Sequence, residues 1–373
     1  MEFQKKMKAA RKNIKIATVY NRDSYEIFKT YPMDQLRWLR ISEALAGLGY
    51  KVDMIVNTKR GLVERNLNLR YVPYSMFDWK RYSIIKTLFP IGFESILSQG
   101  ADDHPFIISK LGSVVGNNDS IEGVYFFNEE RKSRYEIAKR INQKSRYVTI
   151  LTEPSKLLWE QEFGKKDNIL MIPTGVDREI PPPSNNPYKE FDEKIAVYIG
   201  NIYENMQREI NLLWQDRLNS LGRLLKEKGI RLCFVGVGKV DKLDHNVVTD
   251  LGGVGVDKMW DYQYFADVGI GLAQGRVQHN ESSKIYYYLR TGLPVVSETP
   301  VPNNYLIEEA SLGFIADYAD NEMMADMIEA AMYKKWQKEE AIRYMLKNHT
   351  WYERVQVYDA LIRKEFKLEV DEV

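Results

Sequence analysis

Ser282-Ser283-Lys284 opens a short helical pattern, and the three residues together suit a diphosphate. A helix that begins at hydroxyl residues presents free backbone N–H groups and the positive end of its dipole. Lys284 adds a full cation in the first turn. Gly292 closes the pattern, and Leu293 to Val296 reads as a buried strand. An ordinary capped helix explains the same residues, because a hydroxyl N-cap first serves its own helix. Glycine turns end two earlier apolar runs. Gly200-Asn201 follows Val197-Tyr198-Ile199, and Gly236-Val237-Gly238-Lys239 follows Phe234-Val235. Glycine lets a backbone approach a phosphate closely. The second turn lacks the third glycine of the dinucleotide-binding fingerprint, which weakens a nicotinamide reading.

A different chemistry attaches to Ala101-Asp102-Asp103-His104-Pro105. Adjacent carboxylates and an imidazole can take a proton from a hydroxyl, and Asp103 or His104 is the preferred base. The segment reads as following the carboxyl end of a strand at 94–99. An aspartate cap ahead of a proline explains it equally well. Glu129, after a strand at 123–127, and Arg22, after the first strand, are further candidates for the acceptor side. No metal is expected: the carboxylates lack Asp-x-Asp spacing, and no Cys/His cluster is present.

These residues need a frame. The 373 residues suit two domains, and 44% apolar with 28% charged content is that of a water-soluble globular chain. A net charge of +1 gives no general argument for nucleic acid. Cys233 is the single cysteine, so no intrachain disulfide can form. No run of about 20 apolar residues could span a bilayer, and the charged start lacks a secretion-signal core. These features suggest a cytoplasmic protein. Strands are expected at 14–20, 51–56, 67–72, 94–99, 123–127 and 147–151, with helices from Pro32, at 106–115 and at 131–143. The proline-rich segment 178–193 reads as a linker. A second alternating series follows. Its strands are expected at 195–199, 231–235, 247–250, 268–272, 293–296 and 313–315. Its helices are expected near 208–228, 257–265, 283–291, 303–309, 321–346 and 350–366. Strand–helix alternation predicts α/β architecture with parallel, doubly wound sheets.

The block Ser283-Lys284-Ile285-Tyr286-Tyr287-Tyr288-Leu289-Arg290-Thr291-Gly292-Leu293-Pro294-Val295-Val296 resembles the donor-binding block of nucleotide-sugar-dependent glycosyltransferases of the GT-B fold. Three more blocks resemble that family in the same order: Ile172-Pro173-Thr174-Gly175-Val176-Asp177, Val197-Tyr198-Ile199-Gly200-Asn201, and His349-Thr350-Trp351-Tyr352-Glu353-Arg354. The likeness is good over 148–363 and looser before. It implies two Rossmann-like domains facing a cleft: an acceptor-side domain at 1–177, a linker at 178–193, a donor domain at 194–349, and a helix at 350–373 that crosses back. It implies that Gly200, Asn201, Arg208, Gly236, Lys239, Val254, Ser282, Ser283 and Lys284 bind the donor. Val254, in Leu251-Gly252-Gly253-Val254-Gly255, corresponds to the segment whose backbone reads the base. The largest retaining clan has two glutamates where this chain has His279 and Tyr287. Tyr287, or the displaced Glu281, would then hold the ribose. Retaining or inverting stereochemistry stays open.

The resemblance implies a metal-independent transferase. It moves a sugar from a nucleoside diphosphate sugar, UDP favoured over GDP, to a carbohydrate or lipid-linked hydroxyl, with no further cofactor. Surface polysaccharide or glycolipid synthesis is the expected setting. The alternatives are transfer to a DNA base, a nucleotide-sugar epimerase or hydrolase, and a non-catalytic relative. Residues 77–93 interleave aromatic with basic side chains and suggest contact with the inner face of a membrane, against the plainer reading of a buried face with snorkelling lysines.

Overall fold

The structure is a computed structural model that describes residues 10–20, 33–59, 61–111, 120–121, 124–125, 129–202, 208–238 and 240–368. For 33–35, 89, 120–121, 124–125, 129–134 and 208–212 it describes the backbone alone. The chain divides into two compact units. One holds the first sheet and the last helix; the other is essentially residues 176–350.

The first unit is built from β1 (Lys15–Val19), β2 (Lys51–Val56), β3 (Val63–Asn66), β4 (Leu69–Pro73), β5 (Ile84–Leu88) and β6 (Ile107–Lys110). The strands β9 (Tyr147–Ile150) and β10 (Ile169–Met171) complete its sheet; the short strands β7 (Ser120–Ile121) and β8 (Val124–Tyr125), between β6 and β9 in the chain, lie outside it. The sheet order is β10-β9-β6-β5-β1-β2-β4-β3. All its pairs are parallel except β3 with β4. The chain thus winds outward from β1 in both directions, and β1 and β5 flank the reversal point. Parallel strands covered on both faces read as continuous apolar runs, and every residue of β5 is buried.

Two expected elements come out reversed. The segment expected as a strand at 94–99 lies in and just beyond the helix Phe89–Leu97, with Pro90 in its first turn. The segment expected as a helix at 106–115 supplies β6, buried along its whole length. A short apolar run carries no period that separates strand from helix. Pro90 pre-sets a helix start, and the β-branched pair Ile107-Ile108 suits a pleated sheet. The consequence is positional. Asp102, Asp103 and His104 follow a helix and precede β6, so they sit at the amino end of that strand and not at a carboxyl end.

Residues 77–93 form no single amphipathic element. Phe77, Tyr82, Ile84, Ile85, Leu88 and Phe93 are core residues of the first unit. Their rings and methyls turn inward, as in the plainer reading of a buried face. Among the described residues no helix is long and apolar enough to cross a membrane.

The helix Trp351–Glu365 packs on this unit. Trp351, Val355, Tyr358 and Ile362 recur at helical spacing and enter its core. Asp359 accepts from Arg11 Nε at 2.8 Å and Nη2 at 2.7 Å, and from the Tyr50 hydroxyl at 2.6 Å.

Lys86, in β5, is 2% exposed, with its Nζ 5.2 Å from the centre of the Tyr358 ring. Burial, and then the charge of Arg37, push its amine down to about 7 from 10.5. The unfolded chain therefore holds a proton between about pH 7 and 10.5 that the folded chain has released. Stability must rise with pH across that window. Lys86→Met should raise the melting temperature most at or below pH 7, with the gain shrinking towards pH 10. A gain that does not vary with pH in calorimetric melts would refute this.

The second unit contains β11 (Lys194–Ile199), β12 (Ile230–Val235), β13 (Val248–Asp250), β14 (Val268–Gly271), β15 (Val295–Glu298) and β16 (Gly313–Ala316). The order is β13-β12-β11-β14-β15-β16, and every pair is parallel. This is a doubly wound nucleotide-binding order, with its reversal between β11 and β14. The helix expected over 321–346 is two helices, Asn321–Tyr333 and Lys338–Asn348. The proline-rich segment is tied to this unit: Ser184 N and Oγ bond Asp261 at 2.8 and 2.7 Å.

Candidate functional site

In open α/β sheets, ligands bind beyond the carboxyl ends of the strands where the order reverses. In the second unit that place lies between Gly200, after β11, and the loop that leaves β14. The helix Ser283–Arg290 begins there. Its position is fixed by Tyr288, whose hydroxyl accepts from Ile199 N at 2.9 Å and reaches Val197 O at 3.4 Å. Gly269 leaves room for that ring, since a methyl at 269 would lie 2.5 to 2.8 Å from its carbons.

This anchoring brings Lys284 over Gly200. A methyl on Gly200 would overlap Lys284 Cε and stand 2.8 Å from Nζ. The ammonium also lies 4.9 Å from the centre of the Tyr198 ring. The first donor turn and the cation, 84 positions apart in the chain, thus meet at one point. Ser282 is the N-cap residue, but its side chain makes no capping bond. Its hydroxyl therefore does not shield the helix start. The backbone of Ser282 is held instead by Asn303: N donates to Oδ1 at 2.7 Å, and O accepts from Nδ2 at 2.9 Å. Nothing in the sequence singled out Asn303, since its place in a Val-Pro-Asn-Asn turn looks like ordinary loop composition.

The glycine turns close around the same edge. A methyl on Gly236 would overlap the carbonyl oxygen of Gly200. Gly200 N donates to Val235 O at 2.9 Å, Val237 N to Asn201 Oδ1 at 3.2 Å, and Gly236 N to Gly252 O at 3.0 Å. Gly252 is left-handed, with φ of +71°, and its N donates to Asp250 Oδ1 at 2.8 Å. Gly200, Asn201, Gly236 and the 251–255 loop that carries Val254 are therefore successive turns at one sheet edge. Arg208 opens the helix Arg208–Glu227, and its side chain is not described. Lys239 lies outside the described residues.

The residues offered for the ribose have other engagements. Tyr287 is 3% exposed, with its ring 5.5 Å from that of Trp260. A glutamate's substitute should reach solvent-accessible hydroxyls, so this burial argues against Tyr287 in that role. Glu281 Oε2 accepts from the Tyr286 hydroxyl at 3.0 Å, which holds it beside the helix start.

A buried ion pair stands behind the edge. Glu298, at the end of β15, is 0% exposed and pairs with Arg217. Its other oxygen accepts Ala273 N at 2.8 Å, while Ala273 O accepts from Arg217 Nη1 at 3.2 Å and Trp214 Nε1 at 3.3 Å. Both backbone groups of Ala273, just past β14, are thereby fixed. Helix and strand patterns in the sequence hid this pair, because each partner looked like one polar position in its own element.

The first unit does not assemble the expected base. His104 is 6% exposed; its Nε2 meets Tyr82 O at 3.0 Å and its Nδ1 meets Phe106 N at 3.1 Å. Both ring nitrogens serve the fold. Asp103 pairs with Lys144 at 2.6 Å on the surface, and Asp102 lies 3.8 Å from the same amine. With the segment at the amino end of β6, these three residues are corrected from candidate base to local structure. Glu129 begins the helix Glu129–Lys144 and its side chain is not described; Arg22 lies outside the described residues. Among the described residues, no group of three or more His, Cys, Asp or Glu could hold a metal.

No protein-family model matches the chain, and no curated protein matches it by sequence. Solved structures do match along its length. Sucrose-phosphate synthase from Thermosynechococcus elongatus superposes with a TM-score of 0.73 at 14% identity, over 95% of this chain and 100% of that one. Anabaena Alr3699/HepE in complex with UDP and glucose gives 0.67 at 12% identity, over 94% and 100%. WaaG, a glycosyltransferase involved in lipopolysaccharide biosynthesis, gives 0.63 at 14% identity, over 93% and 99%. The chain has the GT-B fold of these glycosyltransferases.

Proposed function

We propose that the chain is a glycosyltransferase. It takes a nucleoside diphosphate sugar, UDP-linked in preference to GDP-linked, on its second unit and passes the sugar to a hydroxyl of a carbohydrate or lipid-linked acceptor on its first unit. The observation that carries this reading is the Lys284 ammonium seated over Gly200 at the start of an uncapped helix. As the sugar leaves, negative charge grows on the diphosphate. A fixed cation and oriented amide dipoles stabilise that charge without reorganising. The 251–255 loop, with Val254, is the part that would meet the base. The complexed state of HepE, with UDP and glucose, supports a UDP-sugar. The part WaaG plays in lipopolysaccharide biosynthesis favours a setting in surface glycan synthesis.

The test is a melting-temperature screen with UDP-, GDP-, dTDP- and ADP-sugars. A ligand present at 100 times its dissociation constant stabilises the native state by about 2.7 kcal/mol. The expected result is an upward shift with UDP-sugars, followed by transfer to an added glycan acceptor. If no nucleotide sugar shifts the transition, the proposal fails.

A further inference from the structure

The sheet of the second unit ends on an open edge. Among the described residues β16 has a neighbouring strand on one side only, β15. Val295 N donates to Leu312 O and Thr299 N to Ala316 O, so in this parallel pair Phe314 and Ala316 turn their backbone groups towards β15. Gly313 and Ile315 turn theirs the other way, where no hydrogen bond meets them among the described residues. Sheets commonly guard such an edge with a charge, a proline or a bulge. Gly313-Phe314-Ile315-Ala316 carries none of these.

A groove of about 550 Å³ lies between β16 and the helix Asn321–Tyr333. Half-buried Phe314, Met323 and Met327 make its apolar part, and exposed Asp320, Glu322 and Asp326 give it carboxylates, with no base in the lining. Asp320 caps the helix by accepting Met323 N at 2.9 Å. Asp326 pairs with Lys228 at 2.8 Å, but Lys228 also answers Glu329 at 2.7 Å, so one cation is shared by two acids. Lys334 comes within 5.1 Å of the centre of the Phe314 ring, with its ammonium over Trp336 at 4.1 Å. The groove is therefore apolar within and acidic along its helix side. Methionine side chains adapt to the shape of what they meet.

The spacing of the acids matches an extended chain. Glu322 and Asp326 are four positions apart on the helix, about 6 Å along its axis. Side chains on one face of a strand recur about every 6.6–6.8 Å. A second copy of this chain fits less well, because edge-to-edge pairing would set one acidic groove beside another.

We propose that the edge of β16 and its groove dock an extended segment of a partner protein, which adds a strand to the second sheet and sets an apolar side chain against Met323 and Met327, with a basic residue two positions away on each side. Backbone bonds to Gly313 and Ile315 supply the attachment, and the alternate side chains select the sequence. β15 separates β16 from β14, so this surface is distinct from the donor turns.

The full-length protein is titrated by fluorescence polarisation with a labelled peptide, Thr-Lys-Thr-Leu-Thr-Lys-Thr. Two further peptides serve as controls: one with glutamate in place of both lysines, and one methylated on the backbone nitrogens that would face β16. The basic peptide should bind, more weakly as salt is raised, and neither control should. Glu322→Lys sets a like charge against the peptide and should weaken binding about ten-fold or more. Glu322 is exposed, so the variant keeps the fold. No binding of the basic peptide, equal binding of either control, or undiminished binding by Glu322→Lys overturns the proposal. Sedimentation gives a further check: if the chain forms a dimer that the basic peptide dissociates, the edge is an interface between copies, and the partner segment is overturned as its occupant.

Discussion

Lys284→Ala should reduce turnover of the donor by roughly 100- to 1,000-fold, the usual effect of removing one preorganised group that meets developing charge. The ammonium is held at one place by Gly200 beneath it and the Tyr198 ring beside it. It therefore needs no search for the diphosphate, and little of its effect is lost to ordering. The fold should hardly notice the change. Lys284 is half-buried, and the neighbouring anchor is the hydroxyl of Tyr288. The melting temperature without ligand should stay near the wild-type value. Lys284→Arg is the informative companion. A guanidinium is planar and longer than an ammonium, and it cannot take the position that the Lys284 chain holds against Gly200 without moving its charge. Its turnover should resemble alanine more than lysine. Wild-type rates in the alanine variant, measured at saturating acceptor, would remove the site.

The largest loss of stability is expected from Glu298→Ala. Removing one partner of a buried pair leaves the other charge in a medium that solvates it poorly, at a cost of about 3–5 kcal/mol. Here the variant deprives Arg217 of its carboxylate and also strips Ala273 N of its acceptor. Chemical denaturation should show the second unit unfolding at clearly lower denaturant. Glu298→Gln keeps an acceptor for Ala273 but not the charge, so it should fall between the two. Because Ala273 leads into the loop before Ser282, donor binding should weaken even where the variant remains folded. A shift below about 1 kcal/mol would show that water or rearrangement compensates Arg217, and the positioning role would be discarded.

The second unit was legible in the chain because its elements are long, regularly spaced and separated by turn residues. Its strands fall within two residues of their expected limits, and the Gly-Leu-Pro-Val-Val segment places helix, turn and strand together. The first unit was less so. At Phe89–Leu97 and Ile107–Lys110 the apolar runs are short and the two readings exchange places. That exchange moved Asp102, Asp103 and His104 to the amino side of the sheet and dissolved the proposed base. Residues 77–93 show a related limit. Composition records that aromatic and basic side chains alternate, but not that Phe77, Tyr82 and Phe93 turn inward.

By itself the sequence determined the alternation of strand and helix, the two-fold repetition of a doubly wound pattern, and the residue types at the donor turns. These depend on spacing along the chain, which periodicity and turn chemistry record. Only the tertiary structure decided that Lys284 lies over Gly200, that Asn303 and not the Ser282 hydroxyl holds the helix start, and that Lys86 is interred beside Arg37. Such relations join residues far apart in sequence. They are fixed by strand order and packing, and a linear pattern carries no information about which distant side chain will share a given sheet edge.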